Sequence, residues 1–202
     1  MKTLARNSVL SAVLLFGLAS LTACSDGGDS AAPPPPDVTP EEVPDPDLVV
    51  IEPGEDFQRR LIEAFINVEP GQTIELPAGE FALDAQLSLD VDNVTVRGQG
   101  HGETLLDFGS QVSGGESILV TSNNVVLEDF AVIDAPSDGI KFKFSNGVTL
   151  RSVRVEWTCG ACESNGAYGL YPVQTKNVLI EDCVVIGASD AGIYVGQSDK
   201  II

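Results

Sequence analysis

Basic residues are scarce in this sequence. Its 202 residues include 11 lysines and arginines and one histidine against 30 aspartates and glutamates, a formal net charge of −19. A chain this acidic is repelled by nucleic acid and by anionic lipid headgroups, so we expect no nucleic-acid partner. The charge also disfavours capture of a polyanionic glycan unless Ca²⁺ or another divalent cation bridges the two. No other cofactor is indicated.

The apolar run over residues 9–23 is too short to span a bilayer comfortably. It follows a basic start and ends in "LTAC", and these residues resemble a bacterial lipoprotein signal. The resemblance implies a signal peptide over residues 1–23, lipidation of Cys24 and, with Ser25 next, sorting to the outer membrane. The protein would then lie on the periplasmic face or at the cell surface. The alternative is an ordinary secretory signal in which Cys24 is incidental.

Residues 24–47 contain no basic and no aromatic residue but many prolines and acids. Such a segment cannot bury a core, and it predicts a disordered, extended tether. Loss of the signal also removes Lys2 and Arg6, which leaves 9 basic residues against 30 acidic ones, a net charge of −21. Residues 48–202 are long enough for one folded domain with a single core.

This domain repeats one strand pattern, with no helical periodicity between the copies. Val125, Val148, Val178 and Ile201 occupy equivalent positions at steps of 23, 30 and 23 residues, and the longer step contains an inserted loop over residues 158–167. Short strands at fixed spacing, separated by Gly, Asn and Asp turns, predict a solenoid of stacked coils.

Equivalent positions in successive coils should form columns. Tight corners that need a left-handed backbone are predicted at Asn93, Asn124, Gly147 and Asn177. We predict a charge ladder of Glu128, Arg151 and Glu181, which would hold the coils in register. The predicted inward columns are Val125/Val148/Val178, Leu127/Leu150/Ile180, Phe130/Val153/Cys183 and Ile118/Ile140/Leu170/Ile193.

The coils and the segment before them resemble the right-handed parallel β-helix proteins of the pectin-lyase-like group. "DFQRRLIEAFINVEPGQTIELPAGEF", residues 56–81, is similar to that group's opening of an amphipathic helix, a Pro-Gly pair, a strand and a Pro-x-Gly turn. Asp56 is the expected N-cap of this helix. Its apolar face is expected to comprise Phe57, Leu61, Ala64, Phe65 and Val68.

The resemblance implies an all-β fold, a right-handed single-stranded parallel β-helix. The N-terminal cap helix and first strand would occupy residues 48–81, and the coils residues 82–202. The fold hosts lyases, hydrolases, epimerases and non-catalytic adhesins, so it leaves the function open.

Two cysteines lie close together in the inserted loop, as "CGAC" from Cys159 to Cys162. A thioredoxin-like motif would need a strand–helix setting, which is lacking. Zinc would need four ligands, and only Cys183, predicted to face inward, and the distant His101 remain. We predict no metal site, a disulfide between Cys159 and Cys162 in an oxidising compartment, and a core position for Cys183.

Three residues are candidates for catalysis. Arg154 is a cation on an outward apolar stripe, where it could stabilise the uronate carboxylate in a lyase or epimerase. Its neighbour Glu156 has the wrong sign for that role, and the two also fit a solvated ion pair. Asp138 and Gly139 match the second half of the Asn-Thr-Asp-Gly motif of polygalacturonase-like hydrolases. Two coils on, roughly 9–10 Å away, Asp190 would complete a carboxylate pair.

The match to that hydrolase family is partial: Asp-Gly also forms good turns, and the family's Gly-His-Gly and Arg-Ile-Lys motifs have no counterpart. A different site is predicted on the next sheet. There Leu119, Lys141, Tyr171 and Tyr194 face outward in consecutive coils, with Lys143 two residues after Lys141. Tyrosines beside lysines would suit sugar rings of an acidic glycan, although such residues are also common on solenoid surfaces.

The last residue, Ile202, is the second residue of a predicted strand, with no polar cap after it. An uncapped solenoid exposes unpaired backbone, so we expect a C-terminally truncated fragment.

We predict a membrane-anchored lipoprotein that binds polysaccharide, with its oligomeric state open. The alternatives are a polysaccharide lyase, epimerase or glycoside hydrolase, and a structural or adhesive solenoid.

Overall fold

The computed structural model describes residues 45–202, and in this range it shows 17 short strands and one helix. The predicted signal peptide, the lipidation site Cys24 and residues 24–44 of the predicted tether lie outside the described residues. In chain order the elements are β1 (Leu48–Val50), α1 (Phe57–Asn67), β2 (Thr73–Glu75), β3 (Gly79–Ala82), β4 (Ala85–Leu89), β5 (Thr95–Arg97), β6 (Thr104–Asp107), β7 (Ser113–Val120), β8 (Val126–Glu128), β9 (Ala131–Ile133), β10 (Asp138–Lys143), β11 (Asn146–Arg151), β12 (Arg154–Glu156), β13 (Tyr168–Val173), β14 (Lys176–Glu181), β15 (Val184–Ile186), β16 (Ala191–Ile193) and β17 (Asp199–Ile201).

The strands form three parallel sheets that the chain visits in turn. Sheet A has the order β1-β2-β5-β8-β11-β14-β17, sheet B the order β15-β12-β9-β6-β3, and sheet C the order β16-β13-β10-β7-β4. Each strand therefore pairs with the strand one coil before it and the strand one coil after it. This arrangement confirms the predicted parallel β-helix.

The inward columns have the predicted register. Val148 pairs with Val178, and Ile140 pairs with both Ile118 and Leu170. The side chains of these columns are buried through most of the helix, and Cys183, a free thiol, is half-buried against the core. Since each coil adds the same kind of apolar residue at the same position, the core is a continuous stack.

Helix α1 covers the N-terminal end of this core. Its buried residues are Phe57, Leu61, Ala64 and Phe65, as the amphipathic pattern predicts. Asp56 occupies the N-cap position, but its side chain makes no capping hydrogen bond, so that part of the prediction is wrong. Its backbone has φ −91° and ψ 11°, outside the extended region that capping residues adopt, and its carboxylate pairs with Arg59 at 3.1 Å.

The corners leading into sheet A have the left-handed backbone that the Asn and Gly positions predict. φ is +62° at Asn93, +54° at Asn124, +77° at Gly147 and +52° at Asn177. The amides also stack, because Asn124 Nδ2 donates to Asn93 Oδ1 at 3.1 Å. Lys200 occupies the same position in the last coil and also has a left-handed backbone, with φ +56°. The sequence did not predict this corner, because lysine, unlike Asn or Gly, does not favour that conformation.

The predicted charge ladder is present and longer than expected. Arg151 pairs with Glu128 at 3.2 Å and with Glu181 at 3.0 Å. Arg97 and Glu75, which pair at 2.9 Å, continue the same column toward the N-terminus. Because the side chains of Arg97 and Arg151 are 43% and 45% exposed, each pair contributes modestly to stability, but the alternation of charge penalises a slipped register.

The inserted loop between β12 and β13 is held by several contacts. A disulfide joins Cys159 to Cys162. The buried Trp157 donates its indole N–H to the carbonyl of Ala135 at 2.6 Å, and both the N–H and the hydroxyl of Thr158 donate to the carboxylate of Asp134 at 2.7 Å. These contacts fix the path by which the chain reaches Tyr168, the first residue of β13.

Gly147 offers a test of the corner geometry. A Cβ at this position would lie 2.5 Å from Oδ1 of Asn124, and φ is left-handed. Gly147→Asn should lose at most about 1 kcal/mol in urea unfolding, because Asn tolerates this backbone and the crowded atom is the end of the Asn124 side chain, which can rotate aside. Gly147→Val should lose about 1–3 kcal/mol, since a β-branched residue is strained there. Equal stability of the two variants would contradict the assigned corner.

Candidate functional site: a tyrosine surface on sheet C

All three tyrosines of the sequence lie together on the outer face of sheet C. The rings of Tyr168 and Tyr194 stack with centroids 4.6 Å apart and planes 16° apart. The ring of Tyr171 lies 4.8 Å from that of Tyr168 and 5.3 Å from that of Tyr194. Tyr194 is 43% exposed, so this aromatic surface is open to solvent.

A column of glycines explains why two tyrosines three residues apart share one face. A Cβ on Gly169 would lie 2.3 Å from Cγ1 of Val185, and one on Gly139 would lie 2.6 Å from Cγ1 of Val155. These positions therefore face the core and admit only glycine. With Gly169 and the buried Leu170 both turned inward, the flanking Tyr168 and Tyr171 both reach the outer face.

Lys141 lies beside the tyrosines, between two carboxylates. Its Nζ donates to Oε1 of Glu116 at 2.7 Å and to Oδ2 of Asp138 at 3.3 Å, and it lies 4.8 Å from the centroid of Tyr171. The Lys141 side chain is only 20% exposed and that of Asp138 12%. The lysine is therefore a neutralised charge within a partly buried triad.

Burial and charge shift the titration of this cluster. Desolvation raises the pKa of Asp138 above its ordinary value, against the opposing effect of Lys141. Burial alone would lower the pKa of Lys141, but hydrogen bonds and charge from Glu116 and Asp138 raise it overall. Desolvation and the neighbouring Asp190 carboxylate raise the pKa of Tyr168. The carboxylates thus hold Lys141 in its charged form.

The structure thus brings Lys141, Tyr171 and Tyr194 together. Lys143 lies two residues further along β10, with its Nζ 5.1 Å from the ring of the exposed Phe144. The sequence interpretation omitted Tyr168 and Glu116. Gly139 and Gly169 each follow the first residue of a sheet C strand, and this repeated glycine is the sequence signal that could have placed Tyr168 outward.

The predicted carboxylate pair is separated by a tyrosine. Glu116, Asp138, Tyr168 and Ala191 occupy equivalent positions in four successive coils. Asp190 is therefore two coils away from Asp138, as expected, but one residue out of register with it. Tyr168 lies on the coil between them, which leaves Asp138 nearer to Lys141 and Glu116 than to its predicted partner.

Arg154 lies on sheet B, away from the tyrosine surface. It pairs with Glu156, and its Nε donates to the carbonyl of His101 at 3.2 Å, 53 residues earlier in the sequence. Ala131, next to Arg154 in the sheet, is fully buried although it belongs to the outer face. Arg154 thus ties the loop around His101 to the outer face of sheet B.

Within residues 45–202, no cluster of three His, Cys, Asp or Glu side chains has the arrangement of a metal site. No helix in this range is long and apolar enough to cross a membrane.

A family model described as "Right handed beta helix region" matches residues 83–202. The chain belongs to this right-handed β-helix family. No curated protein matches it.

Three solved structures resemble this β-helix. A PL6 family alginate lyase, AlyGC, has 16% identity and a TM-score of 0.46, with 66% of this chain and 20% of the lyase covered. The catalytic domain of a GH87 α-1,3-glucanase, in complex with nigerose, has 14% identity and a TM-score of 0.48, over 78% and 33%. A putative glycosyl hydrolase from Parabacteroides merdae ATCC 43184 has 16% identity and a TM-score of 0.43, with 72% of this chain and 83% of the hydrolase covered. The chain thus spans a fifth of the lyase and a third of the glucanase domain.

The raised pKa of Asp138 predicts how the free energy of unfolding depends on pH. Because the folded protein holds this proton more tightly than the unfolded chain, ionised Asp138 costs stability at neutral pH, and the cost disappears as the pH falls through the raised pKa toward 3.8. Asp138→Asn should therefore be more stable than wild type in urea at neutral pH. Its advantage should shrink with acidification.

Asp90→Asn, which neutralises an exposed carboxylate at the end of β4, is the matched control and should show little of this pH dependence. A variant Asp138→Asn that loses stability at neutral pH would mean that the ion pair with Lys141 outweighs desolvation.

Proposed function

We propose that this β-helix binds polysaccharide along the outer face of sheet C. The observation that supports this most directly is the grouping of all three tyrosines, with centroids 4.6–5.3 Å apart. Aromatic rings present an apolar face to the C–H groups of a sugar and a hydroxyl to its polar edge. Leaving such a surface in water costs free energy, so an exposed aromatic cluster is typical of a binding site.

The surrounding contacts hold the surface rigid. Tyr171 belongs to β13, which pairs on both sides with β10 and β16, and Lys141 braces its ring from the neighbouring coil. The inserted loop bonds to the next coil, because the carbonyl of Ala167 accepts the N–H groups of Asp190 at 3.2 Å and Ala191 at 3.1 Å. A ligand would therefore lose little affinity to ordering of the protein.

The parallel coils also suit an extended ligand. Equivalent side chains in successive coils are about 4.8 Å apart, so the tyrosine rungs form a row across the strands. A polymer lying along this row would contact the two coils that carry tyrosines and the coil of Lys141 before them. A single small sugar would use only part of the surface.

Tyr194 is the most direct residue to test, since its ring is exposed and stacks on Tyr168. Tyr194→Ala should weaken binding to a retained polysaccharide about twofold to tenfold, as loss of one aromatic contact would. Tyr194→Phe should keep most of the affinity, because the ring face remains. Affinity gel electrophoresis of the full chain against a glycan panel provides the measurement.

Leu179→Ala on sheet A, which removes a half-buried apolar side chain from another face, is the control and should bind like wild type. If the double variant Tyr171→Ala/Tyr194→Ala kept wild-type affinity for the polysaccharide, the assignment of this surface would be refuted.

Glycoside hydrolysis is the second candidate, and one observation favours it. The carboxylates of Glu116 and Asp138 bond the same Nζ at 2.7 and 3.3 Å, so the bonded oxygens are at most 6.0 Å apart. This upper limit allows the spacing of about 5–5.5 Å found in retaining glycosidases, and a raised pKa of Asp138 suits a general acid. The lysine, however, occupies the space between the two carboxylates that a reacting sugar would need.

We therefore expect the wild-type chain to bind glycans without releasing reducing ends. Release of reducing ends that is lost in both Asp138→Asn and Glu116→Gln, each of which still binds, would establish the hydrolase instead.

A further inference from the structure

We infer that the tyrosine surface selects neutral polysaccharides and rejects anionic ones, and that Glu116 and Asp138 are the residues that set this selectivity. The inference rests on the proposed function and adds the class of glycan. It reverses the expectation that lysines beside tyrosines favour an acidic ligand. The reason is that Lys141 is already paired.

Lys141 has no positive charge to spare. Both of its carboxylate partners lie within hydrogen-bond distance, and all three side chains are at most 20% exposed. The triad as a whole carries a net charge of −1. Because the three groups are partly buried, water screens this charge less than it would an exposed one.

The triad is close enough to affect a bound sugar. Nζ of Lys141 lies 4.8 Å from the centroid of Tyr171 and bonds both carboxylates, at 2.7 and 3.3 Å, so the bonded oxygens lie within about 8 Å of the ring on which a sugar would stack, inside the Debye length of about 8–10 Å. On the other side of the surface, the carboxylate of Asp190 lies near Tyr168 and affects its pKa. Tyr168 and Tyr171 therefore have acidic neighbours on adjoining coils.

Lys143 is the opposing charge on this face. It lies two residues beyond Lys141 on β10, next to the exposed Phe144, and forms no ion pair within residues 45–202. Even with Lys143 counted, three carboxylates face two lysines. A polymer with a carboxylate on every sugar would meet a net negative surface beside the tyrosines. A neutral polymer would keep the stacking contacts without that repulsion.

The test compares glycans that differ only in charge. Hydroxyethyl cellulose, galactomannan and arabinoxylan serve as neutral probes in affinity gel electrophoresis of the full chain. The carboxymethylated derivative of each polymer that is retained serves as its anionic counterpart. We expect wild type to bind the carboxymethylated form at least about fivefold more weakly, on the scale of one or two unit charges at a partly exposed site.

Glu116→Gln is the informative variant, because glutamine can still accept the hydrogen bond from Lys141 while the negative charge is lost. It should bind the carboxymethylated polymer about twofold to fivefold more tightly than wild type, so that the ratio of its affinities for the carboxymethylated and the neutral polymer rises by the same factor. Glu80→Gln removes the same charge from an exposed position on sheet B and should change neither affinity.

Salt gives a second readout that a purely structural effect would not move. Raising the ionic strength from about 0.01 M to about 1 M should strengthen wild-type binding to the carboxymethylated polymer, since repulsion is screened. The effect should be smaller in Glu116→Gln. Binding of the carboxymethylated form as tight as that of the neutral form would overturn the selectivity while leaving the proposed function intact. No retention by any polymer would overturn the proposed function and the inference together.

Discussion

The constraint on which the rest of this structure depends is the register between successive coils. Every strand in the described chain pairs in parallel with its counterparts in the neighbouring coils, so a side chain at one position lies directly over its equivalents. A slip of one residue would turn an inward column outward and break the backbone ladder. Core, corners, charge ladder and tyrosine surface are therefore consequences of one alignment.

Register converts sequence repeats into surfaces with defined chemistry. Glu128, Arg151 and Glu181 lie in one column, and the alternation of sign lets each residue pair with its neighbours. On sheet C the same rule puts Leu119, Lys141 and Tyr171 in one column. The first column stabilises the stack. The second leaves aromatic rings in water, which stability alone does not require.

The features that depend on a single repeated position could be predicted from the sequence. The inward valines and leucines, the Asn and Gly corners and the cap helix follow from periodicity and from which residues tolerate a left-handed backbone. Tyr168 was missed because strict alternation fails where Gly169 and Leu170 both face the core. The contact of Arg154 with His101 spans 53 residues and depends on how a loop folds over sheet B, which no local pattern specifies.

Charge on the tyrosine surface shows the same limit more sharply. From the sequence, Lys141 is one of few cations in a strongly acidic chain, which suggests a ligand of opposite sign. In three dimensions Glu116 comes from the preceding coil and Asp138 from the start of the same strand, and both bind it. A cation in such a triad costs desolvation and exerts little field beyond its partners. What it contributes is position, because it lies against the ring of Tyr171 and fixes one edge of the surface. The sign of a side chain therefore predicts its ligand only once its nearest opposite charges are known.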